Sequence, residues 1–345
     1  MTRSTSSSSI KVPELYRQLI EEDEVDLVIG GYGTATIAPA LPLISERGRF
    51  FVGLQGLGVN DTLGYPGYFA MIPTGPDPST ALTEGFFALA AQQAPRPTTV
   101  ALVAADAAFT QNPLLGARAN AAKYGFEIVH EARYSLATED FSSLIDGVAQ
   151  TECDLLFICS YLKDSIGLVR ALHASAFHPK MVGASMIGPQ TAAVRTALGP
   201  LLNGLVNYEY WAPVDSMMFP GAYEFLATYQ GRAREEQVDG LGHYTPLLAY
   251  AQMQVLAQAV EATGTTDDAQ LSAYARAATF DTVMGLVKFG AHGEWAQPRV
   301  LQVQFRGIEG HGLEQFQRGL RQIVVWPPEY ASGALSYPFE DALKA

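Results

Sequence analysis

Residues 25–34, Val-Asp-Leu-Val-Ile-Gly-Gly-Tyr-Gly-Thr, constrain the fold of this chain more than any other stretch. An apolar run that ends in glycines reads as a buried strand that turns sharply at its C-terminal end. A helical pattern follows at once, over 35–47. Strand, glycine turn and helix in this order form the middle of a βαβ series, yet only 24 residues precede Val25. A doubly wound sheet usually flanks such a strand with others that come earlier in the chain. This strand is therefore expected to be an exposed apolar edge, open to swapping or to pairing with a second copy.

Strand and helix patterns then alternate. A helix over 12–22 precedes the strand at 25–30, and the helix over 35–47 leads to a short strand at 50–54. A strand at 68–72 runs into Pro73, Pro76 and Pro78 and a helix over 79–93. Ala94-Pro95-Arg96-Pro97 punctuates the chain. A second series has strands at 99–104, 127–130, 155–158, 181–183 and 205–210, with helices near 110–124, 139–150, 162–176 and 189–198. Its strands are continuously apolar, as in Val-Ala-Leu-Val-Ala, which suits a parallel sheet covered on both faces. From 219 helices dominate (219–235, 244–262, 268–277), followed by short strands near 282–289, 299–306 and 322–326. An irregular tail is expected from Pro327 onward.

Composition narrows the function. At 345 residues the chain has room for two lobes, and no apolar run is long enough to span a membrane as a helix. A formal net charge of −13 argues against a nucleic-acid surface. The two cysteines, Cys153 and Cys159, flank one strand roughly 20 Å apart, beyond disulfide reach, and read as buried strand thiols. The six histidines show no metal-ligand spacing, and neither a Gly-x-Ser-x-Gly elbow nor a Walker loop occurs. Gly31-Tyr32-Gly33-Thr34-Ala35-Thr36 ends in Thr where a dinucleotide fingerprint needs Gly, and Gln55 rather than an acid lies about 20 residues on. No cofactor, metal or catalytic activity is expected. The polar, serine-rich start has no apolar core of a secretory signal.

Several segments together resemble the branched-chain amino-acid (Leu/Ile/Val) binding family of ABC transporters, which has the type I periplasmic binding-protein fold. They are the run from Leu19 to Gly31, Pro39 with Ser45-Glu46-Arg47-Gly48, the loop Asp106 to Phe109, the helix from Tyr250 to Ala262, and Asp281-Thr282-Val283-Met284-Gly285. The resemblance covers roughly residues 12–326. It implies an α/β protein of two lobes, each a mostly parallel sheet flanked by helices: 10–95 plus 214–285, and 96–213 plus 286–330, with 331–345 as a tail. The family opens with a strand, a helix and a second strand that have no counterpart here, so the first lobe is expected to be truncated. The resemblance implies a ligand held between lobes, permease subunits as partners, and a periplasmic location. The chain as it stands carries no signal, which would make it cytoplasmic if Met1 is the true start. The rival is a cytoplasmic acid or amide sensor of the same fold that regulates a partner protein.

For the site, the resemblance assigns a ligand carboxylate to the glycine turn: Thr34 supplies the hydroxyl, Gly33 and Ala35 the backbone. A helix N-terminus favours an anion there on general grounds, although a plain tight turn reads the same way. Gln55 and Gly56 stand where the family has Ala and Ser or Thr. Phe109 matches a ligand-stacking aromatic, or else starts a helix in the core. Ser160, Tyr161 and Ser185 follow strands, where ligands of open α/β sheets collect. Tyr208 belongs to an aromatic cluster, Tyr208-Glu209-Tyr210-Trp211, that either walls the cleft or packs a hinge. No Asp or Glu lies between Asp164 and Glu209, so a ligand ammonium lacks an obvious partner unless Glu209 swings in. The expected ligand is a small carboxylate with an apolar or aromatic body.

Overall fold

The computed structural model describes residues 9–343; the serine-rich start, 1–8, lies outside the described residues. In chain order the elements are α1 (Val12–Arg17), β1 (Val28–Ile29), α2 (Thr34–Glu46), β2 (Phe51–Gly53), β3 (Tyr68–Ala70), α3 (Pro78–Ala91), β4 (Thr99–Ala105), α4 (Ala108–Tyr124), β5 (Glu127–Tyr134), α5 (Ser142–Ala149), β6 (Leu155–Ser160) and α6 (Lys163–Ala174). They continue with β7 (Met181–Met186), α7 (Ala192–Leu198), β8 (Val206–Glu209), α8 (Ala222–Ala233), α9 (Thr245–Thr263), α10 (Asp268–Ala277), β9 (Thr279–Thr282), β10 (Gly285–Lys288), β11 (Leu301–Phe305), β12 (Gln322–Trp326) and α11 (Phe339–Ala342).

The fold class is α/β with mostly parallel sheets, as the alternation of patterns predicts. The chain forms two compact units, Met1–Asp77 with Pro246–Arg299 and Pro78–Thr245 with Val300–Ala345. These divisions differ from the expected 95/96, 213/214 and 285/286. Helix α3 belongs to the second unit because it lies directly on α4. A Cβ on Gly116 of α4 would stand 1.7 Å from the Ser79 carbonyl oxygen. Asn120 Nδ2 donates to Thr80 O (3.0 Å) and Thr83 Oγ1 (2.8 Å). Only glycine allows that approach of two helix backbones.

In the first unit β1, β2 and β3 form a parallel sheet in that order. Phe69 of β3 packs on Phe50, just before β2, and Phe289 and Phe280 continue the aromatic row to the β9–β10 hairpin at centroid separations of 5.0–6.0 Å. That hairpin replaces the single strand expected near 282–289; Gly285 at φ +79° makes its turn. The edge strand β1 is shorter than the expected 25–30. Its outer edge is not bare: the Tyr16 hydroxyl donates to Ile29 O (3.0 Å), and the Gly31 N–H donates to the phenol oxygen. A phenol thus takes the positions a neighbouring strand would use, which corrects the expectation of an open edge. Burial raises the Tyr16 phenol to about 12, so it remains a donor at neutral pH.

The second unit has a seven-stranded sheet in the order β12-β11-β8-β7-β6-β4-β5. Strands β4 to β8 are parallel, and β11 runs antiparallel to β8 and β12. Phe86 and Phe87 of α3 pack on Phe157 with centroids 5.2 and 5.6 Å apart, in a core shared with Leu102, Leu114 and Val206. A Cβ on Gly183 would fall 1.8 Å from the Phe86 ring, so this glycine makes room for it. Cys153 and Cys159 are free and buried. The segment expected as an irregular tail is built into this unit. Ser336 N donates to Gln304 Oε1 (2.8 Å), Phe339 N to Lys180 O (2.8 Å), and Phe339 and Ala342 of α11 are buried. Among the described residues no helix is long and apolar enough to cross a membrane.

Candidate functional site

In the first unit β1 ends at Gly30-Gly31-Tyr32-Gly33. A Cβ on Gly30 would be 2.7 Å from Gly53 Cα, so the ends of β1 and β2 touch backbone to backbone. Gly33 adopts φ +91°, which lets the chain reverse into α2. Thr34 and Ala35 then open the helix, and their N–H groups have no intrahelical acceptor. Thr36 N and Ile37 N both bond to Gly33 O at 3.1 Å, fixing the turn.

The loop after β2 is drawn to this point, because Leu57 N donates to Thr34 Oγ1 (3.2 Å). The hydroxyl oxygen is thereby an acceptor from within the protein. Gln55 is buried, and its Nε2 has no hydrogen-bond partner among the described residues. Gly56 closes over the Tyr68 hydroxyl and Ile37; a Cβ there would be 3.2 Å from each. Gly33, Thr34, Ala35, Gln55 and Gly56 are thus brought together, with helix-start N–H groups and Gln55 Nε2 among the donors. Gln252 of α9, unnoticed in the sequence, holds the arrangement from behind: its Nε2 donates to Gly30 O (2.9 Å) and Val52 O (2.6 Å).

In the second unit the C-terminal ends of the parallel strands carry an aromatic wall. Phe109, in the first turn of α4, meets the Tyr161 ring edge-on at 5.9 Å and lies nearly parallel to Tyr208 at 6.3 Å. Tyr208 touches Tyr210 at 5.4 Å, and Tyr210 stacks on Tyr244 at 6.1 Å. The Phe109 N–H, orphaned at a helix start, donates to the Tyr161 hydroxyl (3.1 Å). Phe109, Tyr161 and Tyr244 are partly exposed, while Tyr208 and Tyr210 are buried. Tyr244 was legible in the sequence only as the start of a helix.

Side-chain alternation sorts the remaining candidates. Cys159 pairs with Ser185, and Gly183 with Val206, so Ser185 and Tyr208 share the face covered by α3 and α4. Ser185 is buried there, and its hydroxyl has no partner among the described residues. Ser160 points the other way, its hydroxyl 2.8 Å from that of Ser165, and is not part of the wall.

The carboxylates near the wall are committed. Asp164 accepts from Tyr134 Oη (2.7 Å), Tyr161 N (3.0 Å) and Ser165 N (3.2 Å). Glu209 is fully buried on the face opposite Tyr208 and pairs with Arg195 at 2.8 Å. It does not swing toward the wall as the sequence left open. Asp106, one turn before Phe109, is exposed and leans toward Arg133 at 4.0 Å. Among the described residues no group of three or more His, Cys, Asp or Glu side chains is arranged to hold a metal ion.

The family described as periplasmic binding protein matches residues 11–307. A substrate-binding protein of an ABC transporter from Sphaerobacter thermophilus superposes with a TM-score of 0.76 at 19% identity, covering 96% of this chain and 87% of that one. A leucine-binding protein from Thermotoga maritima gives 0.75 at 14% identity, covering 90% and 84%. A solute-binding protein from Rhodopseudomonas palustris, in complex with p-hydroxybenzoic acid, gives 0.73 at 18% identity, covering 95% and 86%. At these identities the likeness is one of fold.

Proposed function

This chain belongs to the periplasmic binding protein family, and from that premise we propose that it is the substrate-binding component of an ABC-type importer for a small carboxylate with an apolar or aromatic body. One observation carries the choice of ligand. The helix start at Thr34 offers backbone N–H and hydroxyl donors, while the wall around Phe109 and Tyr161 is aromatic, with Asp164 and Glu209 already paired. A carboxylate complements the first, through N–H groups, the Thr34 hydroxyl and Gln55 Nε2. An apolar body complements the second. An α-ammonium would enter without a buried counter-charge, which is costly. The p-hydroxybenzoic acid complex among the similar structures supports this choice, and the leucine-binding protein supplies the rival ligand class.

The role is binding rather than turnover. Permease subunits are the proposed membrane partner and the periplasm the proposed place of action.

A thermal-shift panel of aliphatic and aromatic carboxylates, their amides and the branched-chain amino acids tests this. A ligand at 100 times its Kd adds about 2.7 kcal/mol to the native state. Stabilisation by benzoates or keto acids but not by amides or leucine is the expected result. Stabilisation by leucine, abolished in Asp106→Asn, would overturn the ligand class and make Asp106 the ammonium partner. A cooperative melt that no solute moves would overturn the functional reading.

A further inference from the structure

Behind the aromatic wall, on the opposite face of the second unit's sheet, lies a polar cluster that ligand binding does not use. Glu209 Oε1 takes Arg195 Nη2 (2.8 Å) and Gln322 Nε2 (3.3 Å). Arg195 spends its other donors on Pro189 O (2.5 Å) and Gln322 Oε1 (2.7 Å), and its guanidinium lies 5.3 Å from the Phe305 ring centroid. Gln190 Nε2 donates to Tyr208 O (3.0 Å). His243 packs on Trp211 with centroids 5.1 Å apart.

Four atoms of this cluster have no hydrogen-bond partner among the described residues: Glu209 Oε2, Gln190 Oε1, and both ring nitrogens of His243. Their side chains are 0%, 0% and 1% exposed. Contacts place these residues in one neighbourhood: Arg195 pairs with Glu209 and holds the carbonyl of Pro189, which precedes Gln190; Gln190 holds the carbonyl of Tyr208, which precedes Glu209; and His243 packs on Trp211, two residues beyond Glu209. Burial, seconded by Arg195, holds the imidazole far below its usual value and so neutral. A neutral imidazole has one N–H and one bare nitrogen. The other two atoms are acceptors. Each group left unpaired in this interior destabilises the fold, and the hydrogen-bonding capacities that would satisfy them are those of water.

We propose that this enclosure is a built site for internal water, which donates to Glu209 Oε2 and Gln190 Oε1 and lies on both sides of the His243 ring. One water accepts the imidazole N–H and another donates to the bare nitrogen, since the two nitrogens face different directions. The site fastens the end of β8 from behind. Glu209 stands between Tyr208 and Tyr210, Gln190 grips the Tyr208 carbonyl, and His243 precedes Tyr244, the ring stacked on Tyr210.

The proposal is tested without any ligand, and so stands or falls apart from the transport reading. A crystal structure of the full chain at about 1.5 Å should show ordered water within hydrogen-bond distance of Glu209 Oε2, Gln190 Oε1 and His243. Continuous side-chain density with these atoms paired directly to one another would overturn it. A double-mutant cycle of His243→Phe and Gln190→Leu supplies a second readout. Water shared by the two residues makes the double variant lose clearly less melting temperature than the sum of the single variants. Strict additivity, or a rise in melting temperature in His243→Phe alone, would sink the shared site.

Discussion

Thr34 and Tyr161 each satisfy a backbone donor, and both belong to the proposed ligand site. Thr34→Val removes the acceptor of Leu57 N–H and the hydroxyl offered to a carboxylate. A loss of about tenfold in affinity for whichever carboxylate binds is expected, read by isothermal titration, with a fall of about 1 kcal/mol in unfolding free energy. Tyr161→Phe strands the Phe109 N–H at the start of α4 and keeps the ring contact. Chemical denaturation should show about 1–2 kcal/mol of lost stability. An unchanged midpoint would mean that solvent satisfies this N–H. Tyr16→Phe has a different character: it uncovers the Ile29 carbonyl on the edge of β1. Greater self-association at high concentration, measured by sedimentation, is the outcome expected of an uncapped edge.

Helix α3 owes its place in the second unit to one missing methyl group. Gly116→Ala puts a Cβ 1.7 Å from Ser79 O, and the clash meets backbone rather than a movable side chain. A loss of about 3 kcal/mol or more is expected, at the upper end of overpacking, measurable in urea. Gln252 ties α9 to the ends of β1 and β2 across 222 and 200 residues of sequence. Gln252→Leu leaves the carbonyls of Gly30 and Val52 with one donor fewer. It should cost about 1–3 kcal/mol and loosen the glycine turn, so its ligand affinity should fall together with its stability.

For the molecule taken whole, the net charge of −13 and its buried or bridged carboxylates set the response to acid. Asp154 joins the starts of β4 and β7: it accepts from Thr98 N (2.6 Å) and pairs with Lys180 (2.6 Å). Burial pushes its carboxyl up, but Lys180 and Thr98 together outweigh that and hold it below the ordinary value. Glu131 is likewise held low, chiefly by Arg118. A carboxyl depressed in the folded state contributes stability that is fully present above its unfolded value, about 4. That contribution is lost as pH falls through the lower folded value. Asp154→Asn should therefore flatten the acid limb of a plot of stability against pH while changing little of its shape above pH 6. An unaltered acid limb would remove Asp154 from this role.

Much of this was legible in the residues because it is encoded locally. Continuous apolar runs between helical periods announced the parallel strands, and the Asp268–Ala277 helix and the Gln322–Trp326 strand fall where the pattern put them. The glycine turn before Thr34 was equally plain, since a sharp reversal from strand to helix needs that backbone freedom. What local periodicity does not contain is which distant groups meet. The face taken by Glu209, the pairing of Ser160 with Ser165, the tail built onto Gln304 and Lys180, and the phenol that closes the edge of β1 were settled by packing. In each case a buried polar group had to find its partner, and that partner was chosen by the geometry of the folded chain.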